Sequence, residues 1–230
     1  MKVIDNVPVD LDQKEIVRAL AVGRLKDRGT EIASFVGKSR TLVRPKAVYT
    51  IVSVTGIDED LVHLDNGQIL RSIILADALQ CGQEIAPYVV TIGLKLEEEA
   101  SKLSKDNLFG AWTLEKIGDI AVQKAAIYVR SRVEQELGSS ISSFGPGTGT
   151  GKLFGIEQQE VLFRILDPLE NIGVRLTPSY LMLPRKSISG VLAATSKEYV
   201  ACEYCPRKCE YRRRPFGGEY HSMKCDHRSD

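Results

Sequence analysis

Four of the five cysteines crowd into the last thirty residues, as Cys202-x-x-Cys205-x-x-x-Cys209 and then Cys225, with His221 and His227 beside it. Thiolates two and three residues apart can converge on one centre. Four of them satisfy a four-iron cluster or a tetrahedral zinc, and either histidine can replace the last cysteine at zinc. The spacing does not choose the metal, and free or oxidised thiols stand as a third reading. A second group is the loop Phe144-Gly145-Pro146-Gly147-Thr148-Gly149-Thr150-Gly151-Lys152. Its glycines permit close backbone approach to a ligand and positive φ angles. It is no Walker loop, because that needs Gly at 146 and Ser or Thr at 153, where Pro146 and Leu153 stand, and it lacks the third glycine of a dinucleotide fingerprint. A nucleoside triphosphate is thereby excluded, leaving a linker or an active-site loop. A third group is Leu176-Thr177-Pro178-Ser179-Tyr180-Leu181-Met182-Leu183-Pro184-Arg185-Lys186-Ser187-Ile188-Ser189-Gly190, whose small and hydroxylated residues sit where core packing alone does not require them. Cys81 reads as a small buried hydrophobe and His63 as a strand histidine with a satisfied hydrogen bond.

The elements that must carry these groups follow from periodicity. Ile16, Leu20, Ala21, Leu25 and Ile32 recur at helical spacing behind Asp10 or Asp12, predicting one amphipathic helix from about Asp12 to Ser34. Ala47 to Val54 reads as a strand, and Asp65-Asn66-Gly67 marks a turn within a hairpin over Leu61 to Ile69. Ile85 to Ile92 reads as a further strand, after which Gly93 turns the chain into an acidic helix, Leu96 to Leu103. Asn107 to Leu137 predicts one long helix closed by Gly138. A loop from Ser139 to Lys152 and a helix from Gln158 to Leu169, ended by Gly173, complete the pattern. The fold class expected is a single α+β domain over residues 1–200, followed by a cysteine-rich tail over 201–230.

Composition bounds the functions. With 43% hydrophobic and 27% charged residues and a formal net charge of +1, there is no electrostatic case for nucleic acid or a membrane surface as partner. No apolar run reaches the roughly 20 residues of a spanning helix, and the first residues lack the apolar stretch of a signal peptide, so the expected location is cytoplasmic. The basic residues Arg207, Lys208, Arg212, Arg213 and Arg214 either dock an acidic redox partner or simply solvate the tail.

The third group also resembles a known family. Leu176, Thr177, Ser179, Tyr180, Met182, Pro184, Ser187, Ser189 and Gly190 fall in register with the Leu-Thr-x-Ser-aromatic-x-Met-x-Pro and Ser-x-Ser-Gly segments of the reactivation domain of cobalamin-dependent methionine synthase. Pro146-Gly147 matches the Pro-Gly of that family's Arg-x-x-Pro-Gly-Tyr, while its arginine falls at Ser142 or Ser143 and its tyrosine at Thr148. Gln123 stands where the family has a glutamate, and Ser196-Lys197-Glu198-Tyr199 is similar to its Ser-Lys-Tyr-Tyr. The resemblance implies an activation-domain-like α+β fold, a mixed or antiparallel sheet with long flanking helices. It implies S-adenosylmethionine as cofactor, held by Gly145, Pro146, Gly147, Thr148, Ser187, Ser189, Gly190 and Tyr199. It further implies reductive methylation of cob(II)alamin, the cobalamin being supplied by a partner corrinoid protein or truncated methionine synthase and the electron by a donor protein. An iron–sulfur cluster or zinc at Cys202, Cys205, Cys209 and Cys225 is an addition outside the resemblance. Two alternatives stand beside this reading: a non-enzymatic corrinoid-protein-binding module, and a zinc-stabilised adaptor.

Overall fold

A computed structural model of the chain describes residues 1–149, 151–195, 198–208, 212–218 and 220, and of Arg24 the backbone alone. In chain order the elements are β1 (Lys2–Ile4), α1 (Gln13–Leu20), α2 (Gly29–Leu42), β2 (Lys46–Tyr49), β3 (Val52–Asp58), β4 (Leu61–Leu64), β5 (Ile69–Arg71), α3 (Ile73–Ala78), β6 (Glu84–Thr91), α4 (Lys95–Leu103), α5 (Leu108–Leu137), β7 (Ile141–Phe144), α6 (Gln159–Leu166), α7 (Pro168–Ile172), β8 (Arg175–Leu176), β9 (Met182–Leu183) and β10 (Ser187–Ala194).

The axis of the sheet is β6, buried at seven of its eight positions. Its Ile-Ala-Pro-Tyr-Val-Val-Thr run lacks polar alternation, as expected of a strand covered on both faces. One edge pairs with β10 over seven residues, Ser187↔Thr91 through Ala193↔Ile85, and β10 pairs in turn with β7. The other edge pairs with β2 and then β3, from which β1 and the β4–β5 hairpin continue the sheet. Every ladder among the described residues is antiparallel, which narrows the expectation of a mixed or antiparallel sheet and agrees with the α+β class. Side-chain alternation then divides the core. Ala86, Tyr88 and Val90 of β6 and Leu192 of β10 pack with Leu114, Ile117, Ala121 and Val129 of α5. Ile85, Val191 and Ala193 face the opposite side, against α3, α6 and the hairpin.

The long helix forms as its pattern demands. Asn107 Oδ1 accepts from Gly110 N at 2.7 Å at its start, and Gly138 ends it with φ 63°. Three boundaries differ from the sequence expectation. The single helix over Asp12 to Ser34 is two helices, because α1 closes at Ala21 and the chain turns through Gly23 at φ +56° before α2. The strand expected over Ala47 to Val54 breaks at Thr50, opposite Pro87, which offers a carbonyl to Thr50 N (3.2 Å) but has no N–H to continue the ladder. The helix expected over Gln158 to Leu169 breaks at Asp167 (φ 39°), since Pro168 cannot continue the preceding hydrogen-bond ladder. Within the Ser139 to Lys152 loop, residues 141–144 form β7, a strand that only tertiary pairing with β10 makes possible.

Leu114 is fully buried on the sheet-facing side of α5. Leu114→Ala is expected to lower unfolding free energy by about 2–5 kcal/mol in urea titration, with the m-value unchanged.

Candidate functional site

The helix α5 and the β10–β7 edge diverge enough to leave a cleft of about 620 Å³. One wall is a single face of α5, where Gln123, Ala126, Ile127 and Arg130 recur at helical spacing. The floor is Tyr88, Ile188 and Leu192 of the sheet. Gly145 and Thr148 of the glycine loop line the far side with Ser189, and the mouth is formed by residues 198–202 together with Arg213 and Arg214. Four of the eight residues expected to hold a cofactor therefore meet in one place: Gly145, Thr148, Ser189 and Tyr199.

The other four do different work. Gly147 sits at φ +76° with its N–H on Phe154 O (2.8 Å), and a Cβ there would lie 2.7 Å from Ile156 Cδ1, so it shapes the turn that presents Gly145 and Thr148. Pro146 is buried within that turn. Gly190 lets β7 approach β10, since a Cβ would come 2.7 Å from Phe144 O and 3.1 Å from the Tyr88 ring. Ser187 Oγ lies 2.9 Å from Thr91 Oγ1 and donates to Pro184 O at 2.7 Å, which fixes the start of β10. The hydroxyls of the preceding segment are similarly committed: Thr177 Oγ1 accepts from Leu181 N (3.0 Å) and pairs with Ser179 Oγ (3.1 Å) in a tight turn, away from the cleft. Even Ser189, which lines the cleft, gives its hydroxyl to Gln159 Oε1 at 3.1 Å.

Tyr199 is the exception. Its backbone N–H donates to Ser142 Oγ (3.0 Å), and its ring stacks on Phe144 (4.9 Å between centroids) and on Tyr204 (5.8 Å). The residue is 6% exposed, and its hydroxyl has no partner of hydrogen-bond geometry among the described residues. Burial pushes this phenol up to about 12, against the opposing effect of the nearby Thr148 hydroxyl, whose own proton goes to Gly145 O (2.7 Å). A buried orphan hydroxyl costs free energy that a bound polar group would recover. Tyr49, in the other core, is also pushed up to about 12, by burial and then by its 2.6 Å hydrogen bond to Glu136.

The residues that sequence reasoning missed are those on α5 and in the sheet floor. Ala126, Ile127 and Arg130 carried a signal only as the i+3, i+4 and i+7 positions from Gln123, and Tyr88 and Leu192 read as ordinary core. Among the expected metal ligands, Cys202 lines the mouth of the cleft and Cys205 follows one turn later, both as free thiols. Cys209, Cys225, His221 and His227 lie outside the described residues, and among the described residues no group of three or more His, Cys, Asp or Glu side chains is placed to hold a metal. Cys81 is exposed, with its Sγ 3.1 Å from Thr55 O, which corrects the expectation of a buried hydrophobe: the turn after α3 turns it outward. His63 lies half-buried in β4, opposite Gly56 and Ile69. No helix among the described residues is long and apolar enough to cross a membrane.

The family model for the vitamin B12 dependent methionine synthase activation domain matches residues 146–211, the stretch that supplies Thr148, Ser189, Tyr199 and Cys202. The crystal structure of the MetH reactivation domain bound to AdoHcy is similar at a TM-score of 0.67, with 14% identity, over 87% of this chain and 80% of that one. No curated protein sequence matches. The chain therefore has the fold of that reactivation domain and, over residues 146–211, a sequence similar to the activation-domain family.

Buried phenols set an alkaline limit, since Tyr49, Tyr88 and Tyr199 are all raised by burial, Tyr49 and Tyr199 to about 12. Their folded-state pKa values lie above the unfolded value near 10, so the stabilisation from keeping them neutral is complete below about pH 10 and is lost as pH rises through about 12. Denaturant midpoints measured across that window are expected to fall steeply in the wild type and less steeply in Tyr199→Phe and in Tyr49→Phe.

Proposed function

We propose that this chain binds S-adenosylmethionine in the cleft between α5 and β10 and presents its methyl group to the cobalt of a partner corrinoid protein or truncated methionine synthase. The observation that carries this reading is convergence. Gly145, Thr148, Ser189 and Tyr199 come from three separate stretches of chain, and they meet on one cleft within a fold shared with a domain crystallised with AdoHcy. A cavity of about 620 Å³ falls in the size range of small-molecule sites, and its apolar walls with few convergent polar groups suit a nucleoside bearing a short polar chain.

The chemistry asks little of the protein in acid–base terms. An external donor would supply one electron to the partner's cobalamin, and the cleft would hold S-adenosylmethionine so that its methyl could pass to cobalt while the bonding pair stays on sulfur, leaving S-adenosylhomocysteine. Positioning the methyl in line with cobalt is the main demand, and it is met by a rigid cleft rather than by a titrating side chain. The lining fits that division of labour, since among the described residues it holds no histidine and no lysine.

Calorimetry of the full chain with S-adenosylmethionine tests the reading. Saturable binding is expected in the wild type and its loss in Ala126→Trp, which fills the cleft from a half-buried position on α5 while leaving the helix intact. Absence of binding by the wild type, alone and with a corrinoid protein, would leave a binding module without this ligand.

A further inference from the structure

Three successive arginines, Arg212, Arg213 and Arg214, follow the cysteine cluster, and the structure gives each a different fate. Arg212 is a tether: its guanidinium donates to the carbonyls of Cys202 (2.7 Å), Cys205 (2.7 Å) and Arg207 (2.6 Å), wrapping the turn at residues 202–207 around itself. Arg214 is neutralised twice, by Glu203 at 2.9 Å and by Glu198. Arg213 points across the mouth of the cleft to α5, where it donates to the neutral amide oxygen of Gln123 at a long 3.3 Å. Of the cations lining the cleft, Arg130 is paired with Glu134 (3.2 Å) and Arg214 with its two carboxylates, so Arg213 is the one with no carboxylate partner among the described residues.

The β7 side of the cleft has no cation among the described lining residues. Ser142 and Ser143 occupy the approach to the glycine loop, and both hydroxyls are spent within the protein, Ser142 on Thr195 (2.9 Å) and the Tyr199 N–H, Ser143 on Tyr88 (3.2 Å). Among the described residues, an anionic group entering this cleft finds a cation without a carboxylate partner only on the tail side, because Arg130 on α5 is paired with Glu134. Arg213 is held there by neighbours on either side that are themselves anchored.

We propose that Arg213 is the anion-binding residue of the cleft, its guanidinium taking the carboxylate of the bound ligand, so that residues beyond 200 complete the site. The inference rests on the functional reading above and names the group that grips the amino-acid end of the ligand. A guanidinium fork matches a carboxylate with two parallel N–H donors, and exchanging a weak amide contact for that pair favours the bound state.

The test is calorimetry on the full chain with S-adenosylmethionine and with 5′-methylthioadenosine, which keeps the nucleoside and sulfur but has no carboxylate. Arg213→Ala is expected to weaken S-adenosylmethionine by about tenfold or more and leave 5′-methylthioadenosine unchanged, with Arg213→Lys recovering part of the loss. Equal affinity of Arg213→Ala and wild type for S-adenosylmethionine overturns the assignment, and so does equal weakening of both ligands, which would mark Arg213 as shaping the cleft. If the wild type binds neither ligand, the functional reading itself falls, and this inference with it.

Discussion

Strand β6 is the constraint on which the rest of the structure depends. It is paired along both edges and covered on both faces, so its backbone groups and side chains are almost all removed from water. Such a strand is stable only if its neighbours are in place. The register Ser189↔Val89 and Gly190↔Tyr88 fixes which residues of β10 face α5, and therefore which can line the cleft. A slip of one residue would exchange Leu192 for Val191 and close the floor differently.

The same strand explains why residues that look like a binding motif are mostly structural. The hydroxyls of Thr177 and Ser187 satisfy turn or buried backbone groups and Ser179 pairs with Thr177, while Gly190 is required because the Phe144 carbonyl passes where a Cβ would be. Their contribution to a site is indirect: they hold β7, β10 and the glycine loop close enough that a cleft forms. At the corner before β10, Glu97 accepts from Lys186 N at 2.7 Å and Arg185 Nε at 3.3 Å, which pins the corner between β9 and β10 to α4. Lys186 in turn reaches Glu115 and Asp119 on α5. The wall and the floor of the cleft are thus cross-linked at one end by charge and left open at the other.

At the open end an aromatic column continues the core outward. Phe144, Tyr199, Tyr204 and Tyr220 pack in succession, the last meeting its neighbour edge-on at 5.0 Å and donating to Asp77. Ala201, Tyr204 and Tyr220 pack against the second core cluster, so the stretch after residue 200 is joined to the domain by apolar contact as well as by Arg212 and Arg214. Stacked rings supply large contact area with few rotatable bonds, which suits a segment of otherwise polar composition. Among the described residues the hydroxyl of Tyr199 is left unpaired in the middle of this column.

The sequence by itself determined the class of the fold, the long α5 with its caps at Asn107 and Gly138, the β4–β5 turn and a family resemblance confined to the C-terminal half, because each depends on local periodicity, capping chemistry or residue identity at fixed spacing. Only the tertiary structure decided that Ile141–Phe144 is a strand, that Pro87 divides β2 from β3, and that four of eight suspected ligand contacts line the cleft while the others build it. A hydroxyl or a glycine has the same appearance in sequence whether it meets a ligand or a carbonyl of its own chain. Which it meets is set by the approach of strands and helices distant in sequence, and the same holds for Arg213, which among the described residues meets an amide of α5 and no carboxylate.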